Sequence, residues 1–189
     1  MVAMRLPWRS AGAAPAPPLP RDRDDRLDRL SDIMIERGHC DTRGLDRARR
    51  IAEDSGQRID AVLIQLGLLT ERGLAAAYAE LLGLPVAGTA RFPAEPILAE
   101  RLTARFLRQA RALPVAIEAG RLVIAVADPL DRFTPAAIAS ATGHAVIMEV
   151  AVPIDLEAAF ERLYPDPAEE RAAADADGEA SEEDAERLK

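Results

Sequence analysis

The stretches RLSDIMIERGHCDTRGLDRARRIA (residues 29–52) and RIDAVLIQLGLLTERGLAAAYAEL (residues 58–81) stand 29 residues apart and read as copies of one another. Identities fall at Arg29/Arg58, Ile35/Ile64, Gly38/Gly67, Arg43/Arg72, Gly44/Gly73, Leu45/Leu74 and Ala48/Ala77. That is seven matches in 24 positions, where ordinary composition supplies roughly two. Within the first copy Leu27, Leu30, Ile33 and Met34 share one helical face and Gly38 ends the run; Asp41 or Thr42 then caps a helix carrying Leu45, Ala48 and Ile51. In the second, Ile59, Val62, Leu63 and Leu66 recur at helical spacing before Gly67, and a helix from Thr70 stops at Gly83-Leu84-Pro85. The spacing predicts four short helices over 24–83, in two hairpins. One hairpin leaves its apolar stripe uncovered, so duplication lets the pair pack face to face.

After Pro85 the texture changes. Residues 113–118, then Ala119-Gly120, then residues 121–126 read as two strands about a tight turn, with the glycine supplying positive φ. A helix starts at Thr134-Pro135 and stops at Gly143, a strand covers 145–151, and Pro153 opens an amphipathic helix with Leu156, Phe160 and Leu163. With a helix over 97–110 and a short strand near Leu84-Val86, the order becomes β-α-β-β-α-β-α. The fold class is therefore α+β: duplicated helical hairpins over 24–83, then a small α/β sandwich over 84–165.

The flanks have a different composition. Residues 1–23 are rich in Ala and Pro and predict a flexible leader. Residues 166–189 concentrate ten acidic side chains against three basic ones, with Leu188 as the one large aliphatic residue, and predict an acidic linker. They hold most of the net charge of −8 of this 189-residue chain, leaving the body near neutral and without the basic stripe that nucleic acid requires. No apolar run is long enough to span a membrane, which predicts a cytoplasmic protein. One cysteine, Cys40, excludes an internal disulfide, and with His39 and His144 alone beside it a four-ligand Cys/His zinc site is out of reach, so no metal is expected. Of 24 basic residues all but Lys189 are arginine, which leaves no lysine for an internal phosphate-binding G-x-x-x-x-G-K-[ST] loop. No catalytic residues are assigned.

The duplicated segment, then Leu82-Gly83-Leu84-Pro85, Leu113-Pro114-Val115, Leu122 through Asp131, Thr142-Gly143 and the closing helix to Tyr164, resembles the N-terminal domain of the type II secretion and type IV pilus assembly ATPases. The resemblance covers about 27–165, and residues 181–189 resemble the entry to that family's next domain, as if an ATPase core followed. It implies a non-catalytic docking module. The implied partner is the cytoplasmic part of the inner-membrane secretion platform protein, to which the module tethers a hexameric motor for protein export. ATP and Mg belong, on this reading, to the core and not to these residues, and association with the inner membrane runs through the protein partner. A second possibility places the module ahead of another enzyme, such as a membrane glycosyltransferase.

A related branch of that family binds cyclic di-GMP through a doubled motif, R-L-G-x-x-L-x-x-x-G-x-x-x-x-x-x-L-x-x-x-L-x-x-Q, with five residues between copies. Glu53 to Gln57 reproduce the spacer, and Arg29, Leu30, Gly38, Arg58, Leu63 and Gly67 are the degenerate counterparts of its binding residues. Ser31 and Asp60 replace the glycine after R-L, and Ala52 and Leu81 replace the closing glutamine. Asp60 sets a Cβ and a negative charge where a bis-phosphate ligand would sit. Arg58, near a helix N-terminus, calls for an anionic partner, a neighbouring carboxylate such as Asp54 ahead of a phosphate. Asp128, Asp131 and Asp155 can be drawn as a metal or acid/base cluster, although Asp-Pro ending a strand is ordinary turn chemistry. Ser140 and His144 bracket a helix end without an acid to orient a base.

Overall fold

Helix α1 (Arg23–Glu36) ends in a glycine turn whose hydrogen bonds recur, residue for residue, 29 positions later at the end of α3 (Ile59–Gln65). Gly38 N donates to Ile35 O at 2.9 Å and Gly67 N to Ile64 O at 2.9 Å; His39 N donates to Met34 O at 2.8 Å and Leu68 N to Leu63 O at 3.0 Å. Both glycines are left-handed, with φ of 68° and 66°, which an L side chain resists. The following helices, α2 (Thr42–Ser55) and α4 (Glu71–Leu82), open in matched fashion: Asp41 accepts from Gly44 N at 2.6 Å, and Thr70 from Gly73 N at 3.1 Å. These bonds make the two halves structural copies. They interlock, because α1 packs on α4 and α2 on α3. Leu30, Met34, Leu63 and Tyr78 are fully buried between them, each aliphatic side chain stabilising by about 2 kcal/mol.

This computed structural model describes residues 23–165; the expected acidic linker and, apart from Arg23, the expected leader lie outside the described residues. After Gly83 the chain runs through β1 (Val86–Ala87), a 3-10 turn (Thr89–Arg91), α5 (Ala104–Ala110), β2 (Ala112–Glu118), β3 (Arg121–Val126), α6 (Phe133–Thr142), β4 (Ala145–Ala151) and α7 (Pro153–Leu163). The element order is the predicted one, and the chain is α+β. The sheet order is β1-β4-β3-β2, parallel at β1/β4 and β3/β4 and antiparallel at β2/β3. Pro114 sits in β2, an edge strand that shifts register between Pro114 and Ala116, as a residue without an N–H requires. Beneath the sheet Leu107, Leu113, Leu122, Ile124, Ile138 and Leu156 form the second core.

The helix expected over 97–110 is shorter. Leu98 adopts φ of 56°, and its carbonyl accepts from Arg101 and Leu102, closing a turn. The helix starts only after Thr103, whose hydroxyl caps Phe106 N at 3.3 Å. A strong N-cap residue placed inside an apolar period overrides the period. The helical core, in turn, reaches past Leu84: Leu130, Val150 and Val152 belong to it, so the second hairpin sits directly on the sheet and its flanking loops.

Candidate functional site at the seam of helices and sheet

Arg58 stands as the N-cap of α3 without capping it, because its side chain turns toward the β3–α6 loop. Its Nε and Nη2 donate to the two oxygens of Asp60 at 3.1 and 2.7 Å, Nη2 also reaches Tyr78 Oη at 2.7 Å, and Nη1 makes a short ion pair with Asp128. Tyr78 Oη in turn donates a hydrogen bond to Asp60 Oδ2 at 2.7 Å. One guanidinium therefore ties α3, α4 and the end of β3 together. Asp128 keeps its turn role as well, accepting from Leu130 N at 3.1 Å.

The side chain of Asp60 is 10% exposed against 31% for Arg58, so this is a half-sheltered cluster in which each charge needs its partner. Burial pushes the Asp60 carboxyl up, but the bonds from Arg58 and Tyr78 outweigh it and hold the group below its ordinary range. Burial likewise works against the charge on Arg58, and Tyr78, Asp128 and Asp60 together overcome it. Tyr78 is pushed well above the usual phenol value, first by burial and then by the Asp60 charge. At neutral pH the cluster is Arg58⁺, Asp60⁻ and a neutral phenol.

Among the described residues the first copy of the repeat builds no such cluster. Arg58, Asp60 and Tyr78 correspond to Arg29, Ser31 and Arg49 in the first copy. There Arg29 turns outward to Asp32 at 3.8 Å and Glu36 at 3.4 Å, Arg49 pairs with Asp28 at 3.4 Å, and Ser31 bonds back to Leu27 O at 2.8 Å. In the second copy α4 packs directly on β4 and β1. Beside the cluster a cleft of about 910 Å³ opens between α3, the start of α4 and the loops at the ends of β3 and β4. Arg26, Gln65, Arg111, Arg132 and Phe133 line it along with Arg58.

The six motif residues divide accordingly. Leu30 and Leu63 are core residues with 0% exposure, Gly38 and Gly67 serve the two turns, Arg29 lies in exposed ion pairs, and Arg58 holds the seam. Arg29 and Arg58 share no partner. The anion on Arg58 is supplied by Asp60 and Asp128, which corrects the expectation of Asp54: a residue two positions on in the first helical turn, and one from the facing loop, offer the better geometry. Asp128, Asp131 and Asp155 are not one cluster. Asp131 caps α6 through Phe133 N and Thr134, and Asp155 pairs with Arg72 at 3.2 Å. Ser140 is exposed, while His144 bonds to Thr142 O at 3.0 Å. Sequence reasoning missed Tyr78 and Asp128 as partners; the signal available was Asp60, an acid beside an apolar stripe and next to an arginine.

Residues 82–170 match the MshEN domain. Among solved structures, the N-terminal domain of XpsE is 33% identical with a TM-score of 0.64, over 74% of this chain and 96% of that one. The chain belongs to the MshEN domain family. A structure of MshE with cdg, another relative of this MshEN domain, is 29% identical, TM-score 0.61, over 72% of this chain and 99% of that one. Type II secretion system protein E of Xanthomonas campestris pv. campestris is 34% identical over 140 residues, 72% of this chain and 25% of that protein. Type IV pilus assembly ATPase PilB of Myxococcus xanthus is 23% identical over 136 residues, 72% of this chain and 24% of that protein. The MshEN chain thus spans about a quarter of the length of these curated relatives and is homologous to their N-terminal domains. Among the described residues no helix is long and apolar enough to cross a membrane.

Proposed function

We propose that this MshEN domain is a non-catalytic docking module of a type II secretion motor, tethering it to the cytoplasmic part of the inner-membrane platform protein. The observation that carries the reading is the end-to-end likeness to the N-terminal domain of XpsE, 96% of which is covered at 33% identity. The geometry supports it. The Arg58 cluster and the shared core at Leu130, Val150 and Val152 couple the hairpins to the sheet, so a load applied to one unit reaches the other. ATP and Mg belong, in this proposal, to the ATPase core of the whole protein, and membrane association is peripheral. The test is calorimetry of the chain against the cytoplasmic domain of the platform protein encoded in the same operon. Saturable binding with no ATP turnover above a blank is expected; the absence of a complex, or measurable turnover in a clean preparation, overturns the proposal.

A second reading, cyclic di-GMP sensing, is favoured by the likeness to the structure of MshE with cdg. Against it stands Asp60, whose carboxylate already occupies the Arg58 guanidinium on two nitrogens. A phosphodiester must displace that carboxylate and then lie beside it, and two like charges at contact repel. Titration with cyclic di-GMP decides between the readings. Saturable heat that disappears in the Arg29→Ala, Arg58→Ala double variant establishes the sensor, and silence at high ligand concentration removes it.

A further inference from the structure

Four large apolar side chains stand exposed among the described residues, and two of them, Phe133 and Ile154, sit at the N-termini of α6 and α7 beside the seam cleft. Phe133 is 72% exposed and lines the cleft with Pro153; Ile154 is 61% exposed and is held there by its N–H bond to Glu71 at 2.9 Å. The other two, Val86 and Ile117, lie on the strands at the sheet edges. An aromatic ring left in water at a concave rim costs free energy that a partner recovers, and aromatic and arginine side chains are the residues that dominate such contacts.

The charges around the cleft are unequally committed. Asp60 and Asp128 are used by Arg58, Asp131 caps α6, and Glu71 accepts from Ile154. Arg132 is exposed and holds no ion pair with a described residue, and Arg111 has only a 3.8 Å pair with exposed Glu157. An exposed pair of that length contributes little. Arg111 and Arg132 therefore offer a partner exposed positive charge at the edge of the cleft that Phe133 also lines.

We propose that this rim is the docking face, and that it receives an acidic protein segment whose apolar side chain covers Phe133 while its carboxylates meet Arg111 and Arg132. The inference rests on the docking function proposed above and names its surface. A nucleotide fits less well, because Asp60, Glu71, Asp128 and Asp131 line the same cleft as Arg26, Arg58, Arg111 and Arg132 and offset the attraction its phosphates would find there. A peptide keeps its carboxylates on the rim and inserts only carbon.

The test uses the full chain and the platform's cytoplasmic domain, with two independent surface variants: the double reversal Arg111→Glu, Arg132→Glu, and Phe133→Ser. Arg121→Glu, at the opposite end of β3, is the control. Melting points within about 3 °C of the parent verify folding. Expected are a loss of at least tenfold in affinity for the double reversal, several-fold for Phe133→Ser, under twofold for the control, and weaker parent binding as salt rises. Parent-like affinity in both rim variants overturns the docking face while leaving the docking function intact; no binding by the parent removes the function and this face with it. Displacement of the partner by a synthetic peptide of residues 166–189, or by cyclic di-GMP, would assign the rim to the chain's own acidic segment or to a nucleotide, and either result overturns the proposal.

Discussion

Arg58 and Asp128, 70 residues apart in sequence, close an ion pair across the line where the helical hairpins meet the sheet. The pair joins the two units alongside the Arg72–Asp155 ion pair and the Ile154–Glu71 bond, and Asp60 and Tyr78 complete its hydrogen bonding. Replacing Arg58 by Ala leaves Asp60 sheltered without a counter-charge. The expected cost is about 3 kcal/mol, read as a lower urea midpoint. Arg29→Ala, its repeat counterpart in exposed ion pairs, is expected to cost under about 1 kcal/mol. Equal effects of the two would show that the seam pair contributes nothing of its own.

Acid should weaken this protein through Asp60. Its carboxyl is held below the ordinary range in the folded chain, so its contribution is present above the unfolded value near ~4 and is lost as pH falls through the folded value. Urea midpoints measured from pH 6 down to pH 3 should fall more steeply for the parent than for Asp60→Asn, which removes the titration. Tyr78 acts at the other end. A raised folded value means stability present below about 10 and lost as pH climbs above it, and Tyr78→Phe should flatten that alkaline limb. Parallel profiles for parent and variants would contradict the assignment.

Much of this fold could be read in advance, for a definable reason. The hairpins repeat, so glycine stops at Gly38 and Gly67 and caps at Asp41 and Thr70 are each stated twice in the sequence, and local chemistry sets them. The seam was less legible. Asp128-Pro129 reads as a turn and is one, yet its second oxygen serves a partner 70 residues away, and no local pattern encodes that contact. Asp60 was visible as an acid displacing a motif glycine, but a carboxylate such as Asp54, four residues before Arg58, was the partner offered; that helical spacing fails because α2 ends at Gly56 and Arg58 opens α3. The cleft edge, built by Arg111 at the end of α5 and by Arg132 and Phe133 at the start of α6, had no signal at all.

Gly44 and Gly73 are identical in the repeat but not in their surroundings, and that difference is measurable. A Cβ on Gly44 would lie 2.7 Å from Asp41 Oδ1, the atom capping α2, and 3.2 Å from a Leu68 methyl. On Gly73 it would meet His39 Nδ1, the capping Thr70 Oγ1 and a Leu69 methyl at 3.2 to 3.3 Å, half an ångström farther than the cap at Gly44. Alanine gains up to about 1 kcal/mol over glycine inside a helix. Gly73→Ala should therefore be neutral within about 0.5 kcal/mol, the gain offsetting a few tenths of an ångström of adjustment. In Gly44→Ala the capping carboxylate must rotate away, and losing a cap costs about 1 kcal/mol on top of the crowding. A net destabilisation of about 1 kcal/mol by chemical denaturation is expected for Gly44→Ala alone, and matching behaviour of the two would refute the argument.

The β2–β3 hairpin carries a correctable strain. Its two turn residues, Ala119 and Gly120, have φ of 49° and 76°, between Glu118 and Arg121, which pair across the strands. Two left-handed residues in a two-residue loop are the hairpin geometry that suits twisted strands, and the sequence preferred there is Asn-Gly. Alanine at the first position keeps a Cβ where the left-handed region crowds it, at a cost of about 1 kcal/mol, whereas asparagine tolerates that region. Ala119→Asn should stabilise the protein by about 0.5–1 kcal/mol, a rise in melting temperature of about 2–3 °C. Gly120→Ala, which adds a second Cβ at positive φ, should lower it by a similar amount. An unchanged melting temperature in both would mean that the hairpin is not held in the left-handed turn described.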